Sequence, residues 1–256
     1  MNDIRIVREP PLAWVTLDRP HKRNAMTAAM WQETLRLAQE LDAAADVRVV
    51  LLAGAGNQAF SAGADIAEME AALAQPEALA VMQSVVQDAQ AAWAGIRQPT
   101  IAVIDGACTG GGCGLALACD VRIATPSSFF AIPPARLGLV YSLADTLRLV
   151  DLVGPAVAKE ILFTGRRVTA TLALELGLIN SLVAAPEIEA FARALAAEIA
   201  TSAPSSVQAA KRIVNEISRG HRQETAATRR LYDESFTSAD FREGAEAFRT
   251  KRSPRF

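Results

Sequence analysis

Residues 100–124 read Thr-Ile-Ala-Val-Ile-Asp-Gly-Ala-Cys-Thr-Gly-Gly-Gly-Cys-Gly-Leu-Ala-Leu-Ala-Cys-Asp-Val-Arg-Ile-Ala, and this stretch decides the fold. Thr100–Ile104 is a short apolar run of the kind that forms a strand buried on both faces. Gly106 and the triplet Gly110-Gly111-Gly112 follow, then small residues continuing as a helix through Ala116–Cys119, then strand character again over Asp120–Ala124. Strand, glycine turn, helix and strand within 25 residues predict an α/β core with right-handed crossovers.

The same alternation extends toward the N-terminus. Val47–Ala53 is a second run, apolar but for Arg48, closed by the turn Gly54-Ala55-Gly56-Asn57. Met26, Met30, Leu37 and Leu41 recur near helical spacing, so 26–44 is expected to be an amphipathic helix, and 76–95 repeats the pattern with Leu79, Met82, Val86 and Trp93. Ile4–Val7 and Leu12–Leu17, separated by Glu9-Pro10-Pro11, predict a hairpin-like opening. After about residue 155 the pattern becomes helix after helix, with Pro186 and Pro204 at boundaries. The expected organisation is an α/β core over 1–200 and a helical region over 201–256.

Composition narrows the function. A net charge of −2 offers no general attraction to nucleic acid or to an anionic membrane. No uncharged apolar run reaches the roughly 18 residues of a membrane span, and the opening residues read as strand, not as a secretion signal. The three cysteines, Cys108, Cys113 and Cys119, are odd in number and crowded together, which argues against a disulfide framework and for a reducing cytoplasm. Only His21 and His221 could contribute imidazole, far apart in sequence, so no metal site is expected.

A second glycine-bearing segment, Phe60-Ser61-Ala62-Gly63-Ala64-Asp65-Ile66, follows the 47–57 strand and turn. Two such loops brought face to face would aim backbone N–H groups at a common point, the arrangement of an oxyanion hole. The triplet lacks the G-x-G-x-x-G spacing of dinucleotide-binding turns, and no G-x-x-x-x-G-K-[ST] is present.

Together, Asn24-Ala25-Met26, the 60–66 segment, Gly106 with Gly110-Gly111-Gly112, Cys119-Asp120, Phe130–Gly138, Ala158-Lys159-Glu160, Ala173–Leu178 and the terminal Phe248–Phe256 resemble the enoyl-CoA hydratase/isomerase (crotonase) family, in order and over nearly the whole chain. The resemblance implies a spiral of strand-strand-helix units, an acyl-coenzyme A thioester as substrate with no other cofactor, and homotrimers or homohexamers. It assigns the two oxyanion-hole amides to Ala64 and Gly111. It matches Lys22, Arg23 and Ala25 to the loop along the pantetheine and phosphates. Ala62, Asp65 and Ile66 match the backbone that reads the adenine, and Phe248 and Lys251 match a C-terminal pair that reaches a neighbouring subunit's ligand.

The chain departs from the family's hydratases at two positions. Where those enzymes carry catalytic glutamates, this sequence has Gly114 and Pro134. Neither residue moves a proton, and general acid–base groups contribute about 10²–10⁴-fold each. Where some isomerases and dehalogenases carry an aspartate, it has Ser142. Tyr141, in the pattern Leu137-Gly138-Leu139-Val140-Tyr141, resembles methylmalonyl-CoA decarboxylase-like members, although those tend to keep a glutamate at the place of Gly114. Asp145 is the remaining acid near that turn and a candidate substitute. Three functions stand open: a hydratase/isomerase-like enzyme with altered acid–base groups, a decarboxylase using Tyr141, and a non-catalytic acyl-CoA-binding protein.

Overall fold

The computed structural model describes residues 3–256. Strands β1 (Ile4–Glu9) and β2 (Leu12–Leu17) form the expected antiparallel hairpin. Helix α1 (Ala28–Ala43) starts at Thr27, whose hydroxyl accepts the Met30 N–H at 3.2 Å. Then come β3 (Val49–Gly54), β4 (Ala59–Ser61), α2 (Ile66–Leu73) and α3 (Pro76–Gly95). The deciding stretch folds as β5 (Thr100–Ile104), β6 (Ala107–Thr109), α4 (Gly111–Leu117) and β7 (Val121–Ala124), and the chain continues through β8 (Phe129–Ala131) into α5 (Leu143–Thr164).

β2, β3, β5 and β7 lie side by side in parallel at the centre of a six-stranded sheet, with β1 at one edge. The short strands β4, β6 and β8 form a second, parallel sheet. From β3 to β8 each turn of the chain therefore lays one strand in each sheet before helices return it.

The region after 155 is not purely helical. β9 (Val168–Thr169) closes the second sheet antiparallel to β8, and β10 (Ser181–Leu182) closes the first, parallel to β7, with α6 (Ala170–Glu175) between them. Strands of two residues carry no period-2 pattern, so their pairing is set by neighbours that the local sequence does not reveal. Helix α7 (Ile188–Ala200) follows, then α8 (Pro204–Ser218), α9 (Ala226–Ser235) and α10 (Ala239–Arg249).

The continuous apolar runs are explained by two cores. Val49, Leu51, Ala53, Ile101 and Val103 face α7, where Ile188, Ala192, Ala196 and Ala200 present one apolar stripe. Val50, Leu52, Ala102 and Ile104 point the other way, into the cluster that includes Met30, Trp31, Leu37 and Trp93. Helix α8 is tied to the core by Lys211, which donates to Asp120 Oδ2 at 2.7 Å and to the Gln98 carbonyl at 3.0 Å.

Candidate active site

The first loop is held from beneath by Asn24. Its fully buried carboxamide donates to the carbonyls of Ala55 (3.0 Å) and Ala59 (2.7 Å) and accepts the Arg19 N–H at 2.9 Å. Ser61 Oγ donates to the Asn24 carbonyl and accepts the Gly63 N–H. Beyond it, Met26 and Ala64 form a parallel bridge: Met26 N–H donates to Gly63 O at 2.7 Å, and Asp65 N–H to Met26 O at 3.0 Å. In such a bridge the middle residue turns its own N–H to the opposite side, so the exposed Ala64 directs its amide away from Met26.

Asp65 ends this loop and starts α2. One carboxylate oxygen accepts the Ala67 and Glu68 N–H groups, and the other accepts Arg19 Nη1 at 2.6 Å. The Arg19 guanidinium beside it is the main cause holding its carboxyl below the usual range. Glu68, in the first turn of α2, accepts the Ala28 N–H at 2.7 Å at the start of α1.

The second loop packs directly on the first. Thr109 Oγ1 donates to the Ala62 carbonyl at 2.7 Å. Gly63 adopts φ +92°, and a Cβ there would lie 2.9 Å from Thr109 O, so the two loops approach at a distance that only glycine allows. Helix α4 begins inside the triplet, at Gly111. Gly110 N–H is taken by Ala131 O, and the first bond closing the helix runs from Gly114 N–H to Gly110 O, so Gly111 N–H lies in the turn whose amides lack helical acceptors. Gly112 is pressed on Ser61, where an added Cβ would meet Ser61 Cβ at 2.5 Å.

The side-chain half of the site gathers around Gly114. A Cβ at Gly114 would lie 2.3 Å from Gln90 Nε2 and 3.0 Å from Asp145 Oδ1. Gln90, on α3, donates to Gly111 O at 3.2 Å. Asp145, in the first turn of α5 and 4% exposed, accepts Ser142 Oγ (2.8 Å) and Arg148 Nη1 (3.0 Å). Burial pushes its carboxyl above the usual value, against the opposing pull of Ser142 and Arg148. The Tyr141 hydroxyl is buried without a hydrogen-bond partner among the described residues, and burial, with Cys113 and Asp145 nearby, pushes its pKa well up. Cys113 and Cys119 are buried free thiols, and burial raises Cys119 to about 12.

The sequence singled out neither Gln90 nor Arg148. Gln90 does carry a signal: it is a polar residue on the stripe of α3 that also presents Val86 and Trp93, and it is 2% exposed. Arg148 stands one turn beyond Asp145. Pro134 opens a 3-10 turn over Pro134–Leu137.

The remaining candidates divide into two groups. Lys22, Arg23 and Ala25 form a turn in which Arg23 has φ 52° and Ala25 N–H donates to Lys22 O. Ala62 N–H donates to Arg23 O, which joins this turn to the first loop, and Ile66 stands 65% exposed beside it. Phe248 and Lys251 lie at the end of α10, with Phe248 89% exposed. Among the described residues, no hydrogen bond or ion pair links α10 to the 19–25 or 60–66 segments.

A double-sheet spiral of strand-strand-helix units, with two backbone loops meeting at the start of α4, is the crotonase fold. The family model for enoyl-CoA hydratase/isomerase matches residues 8–256. Bacillus subtilis YngF is 36% identical over 247 residues, covering 96% of this chain and 94% of its own. The carnitinyl-CoA dehydratase of Salmonella typhi is 34% identical, covering 98% and 97%. A solved enoyl-CoA hydratase/carnithine racemase from Magnetospirillum magneticum superposes with a TM-score of 0.95 at 33% identity, covering 100% and 96%. With matches spanning both partners almost end to end, the chain belongs to the enoyl-CoA hydratase/isomerase family, whose members act on acyl-CoA substrates. Among the described residues, no helix is long and apolar enough to cross a membrane.

Proposed function

We propose that the chain is an enzyme that binds an acyl-CoA thioester and holds the developing enolate oxygen on the N–H groups of Ala64 and Gly111. The observation that carries this reading is the contact of the two loops through Gly63 and Thr109, with the Ala64 amide turned away from its bridge partner. Backbone donors fixed before the reaction need no reorganisation as charge develops, and loss of one such donor costs roughly 10²–10³ in rate. The reading calls for no metal or redox group; coenzyme A enters as part of the substrate.

Lys22 and Arg23 are the cations for its phosphates, beside Ala25. Adenine lies against the backbone of Ala62, Asp65 and Ile66; the Ala62 carbonyl keeps a second lone pair for it after accepting Thr109. Phe248 and Lys251 serve a neighbouring subunit of a homotrimer or homohexamer in the cytoplasm. The exposed rings of Tyr232, Phe236, Phe241 and Phe248 on the last two helices support burial against another copy.

A second reading is favoured by one observation, the unpartnered Tyr141 hydroxyl. Kept protonated by burial, it is a donor awaiting an acceptor, such as the leaving carboxylate of a malonyl-type thioester in a decarboxylation. Incubation with crotonyl-CoA and methylmalonyl-CoA together, read by mass spectrometry, separates the readings. Addition of water supports the hydratase-like enzyme, whereas loss of carbon dioxide abolished by Tyr141→Phe supports the decarboxylase. Binding of both thioesters with no turnover and no α-proton exchange leaves a binding protein and overturns the enzymatic reading.

A further inference from the structure

The hydratases' first glutamate is missing at Gly114, yet the space beside Gly114 is not empty. Two side chains from other elements enter it: Gln90 from α3 and Asp145 from α5. The Asp145 oxygen is 3.0 Å, and its carboxyl carbon 3.2 Å, from the point where a Gly114 Cβ would stand. Asp145 therefore places a carboxyl beside the point from which a glutamate side chain at 114 would extend. A Cβ at 114 would also stand 2.3 Å from Gln90 Nε2, the end of a flexible side chain that has to turn aside to admit one.

Resting on the thioester–enolate reading above, we propose that Asp145 is the catalytic carboxyl of this site, delivered from α5 through the gap left by Gly114. Its carboxylate accepts the α-proton of the bound thioester as the C–H electron pair moves into the carbonyl, forming the enolate held by Ala64 and Gly111. In the reverse step the carboxylic acid returns a proton to the α-carbon and the thioester carbonyl is restored. No other reactant is consumed.

The surroundings suit that task. Ser142 and Arg148 hold the carboxyl at 2.8 and 3.0 Å and fix its orientation. Gln90 fastens α3 to Gly111 O, one turn of α4 before Gly114, so the groups around the carboxyl share a frame with the amide that binds the enolate. Burial outweighs the favourable partners and raises the proton affinity of the carboxyl, the direction a proton-transfer group needs. The ionisable groups beside it are Arg148 on its own helix and Tyr141 on the preceding loop.

The test is exchange of α-protons in deuterated water, followed by mass spectrometry for butyryl-, octanoyl- and phenylacetyl-CoA, with binding of each measured separately by calorimetry. Asp145→Asn is expected to slow exchange by about 10²–10⁴-fold, while binding and cooperative unfolding persist. Asp151→Asn, an exposed carboxylate further along α5, should exchange at the parental rate. A rate for Asp145→Asn within about threefold of the parent overturns the proposal. So does a parent protein that binds the thioesters without exchanging them, whereas a parent that binds none of them overturns the thioester reading itself. Gly114→Glu combined with Asp145→Ala returns the carboxyl to α4, and exchange at a tenth or more of the parental rate is expected. A folded double variant with no exchange would remove Asp145 from the place of that glutamate.

Discussion

The two halves of the candidate site are made of different material. On one side, Ala64 and Gly111 offer only backbone, and everything around them serves to position that backbone: Asn24 below, Ser61 between the loops, Trp31 against Gly111. On the other side, the side chains of Gln90, Tyr141, Ser142, Asp145 and Arg148, from two helices and a loop, meet beside Gly114 of a third helix. The first half is made of the 60–66 and 110–112 segments that resemble the family's motif. The second departs from it at Gly114 and Pro134. A backbone donor is fixed by the packing of both loops and resists change, whereas a carboxyl can be supplied from any element that borders the space.

The largest losses of stability are expected from the backbone half. Asn24 combines a positive φ of 53° with three hydrogen bonds from a fully buried carboxamide. Asn24→Ala leaves the carbonyls of Ala55 and Ala59 and the Arg19 N–H to find other partners, at about 1–3 kcal/mol for each group left unsatisfied. Chemical denaturation should show a loss of about 3–5 kcal/mol, within the range of a disrupted buried network. A loss below about 1 kcal/mol would mean that the first loop holds its shape without this anchor.

Gly112→Ala comes next. The new methyl would sit 2.5 Å from Ser61 Cβ, forcing the loops apart at a cost of about 1–3 kcal/mol. Because the same movement separates Ala64 from Gly111, turnover or exchange should fall by roughly 10²-fold or more. Ser61→Gly removes the nearest clashing atoms, so the double variant is expected to regain part of both losses. Additive losses in the double-mutant cycle would break the link between loop contact and activity.

How much of this was legible in the sequence follows the same division. β3, β5 and α3 announce themselves through apolar runs and helical spacing, and the glycine loops through composition. The short strands β4, β6, β8, β9 and β10 do not, because two or three residues cannot express a period and their pairing is a product of the closed spiral. In the site, the 60–66 and 110–112 loops are contiguous motifs and could be read directly. The Gly114 cluster could not: Gln90, Gly114 and Asp145 are spread over 55 positions of the sequence and meet only when α3, α4 and α5 pack. Asp145 was visible as an acid near a turn, but nothing in its neighbours says where its carboxyl points. Gln90 was visible only as a polar residue on an apolar stripe.

Asp65→Ala should cost about 1–2 kcal/mol, since it removes the N-cap of α2 together with the Arg19 pair. Its pH dependence tests the electrostatic share. The folded carboxyl sits below its unfolded value, so the stabilisation is complete above about pH 4–5 and is lost as pH falls through the lowered folded value. Parent and variant unfolding curves should converge in acid; a gap of constant size would assign the effect to helix capping without charge.

Asp145 has the opposite sign and the smallest expected effect on stability. Its folded carboxyl is raised above the unfolded value, chiefly by burial. The stability it contributes is complete below the unfolded pKa of about 3.9 and is lost as pH rises through the folded value, because the fold then holds a charge in a poorly solvated place. Asp145→Asn carries no such penalty, though it weakens the Arg148 contact. The difference in melting temperature, variant minus parent, should therefore move in the variant's favour between pH 4 and neutrality. A catalytic group held at the expense of stability behaves in this way. A difference independent of pH would mean that Ser142 and Arg148 satisfy the carboxylate fully, and that Asp145 is one more structural acid at the start of a helix.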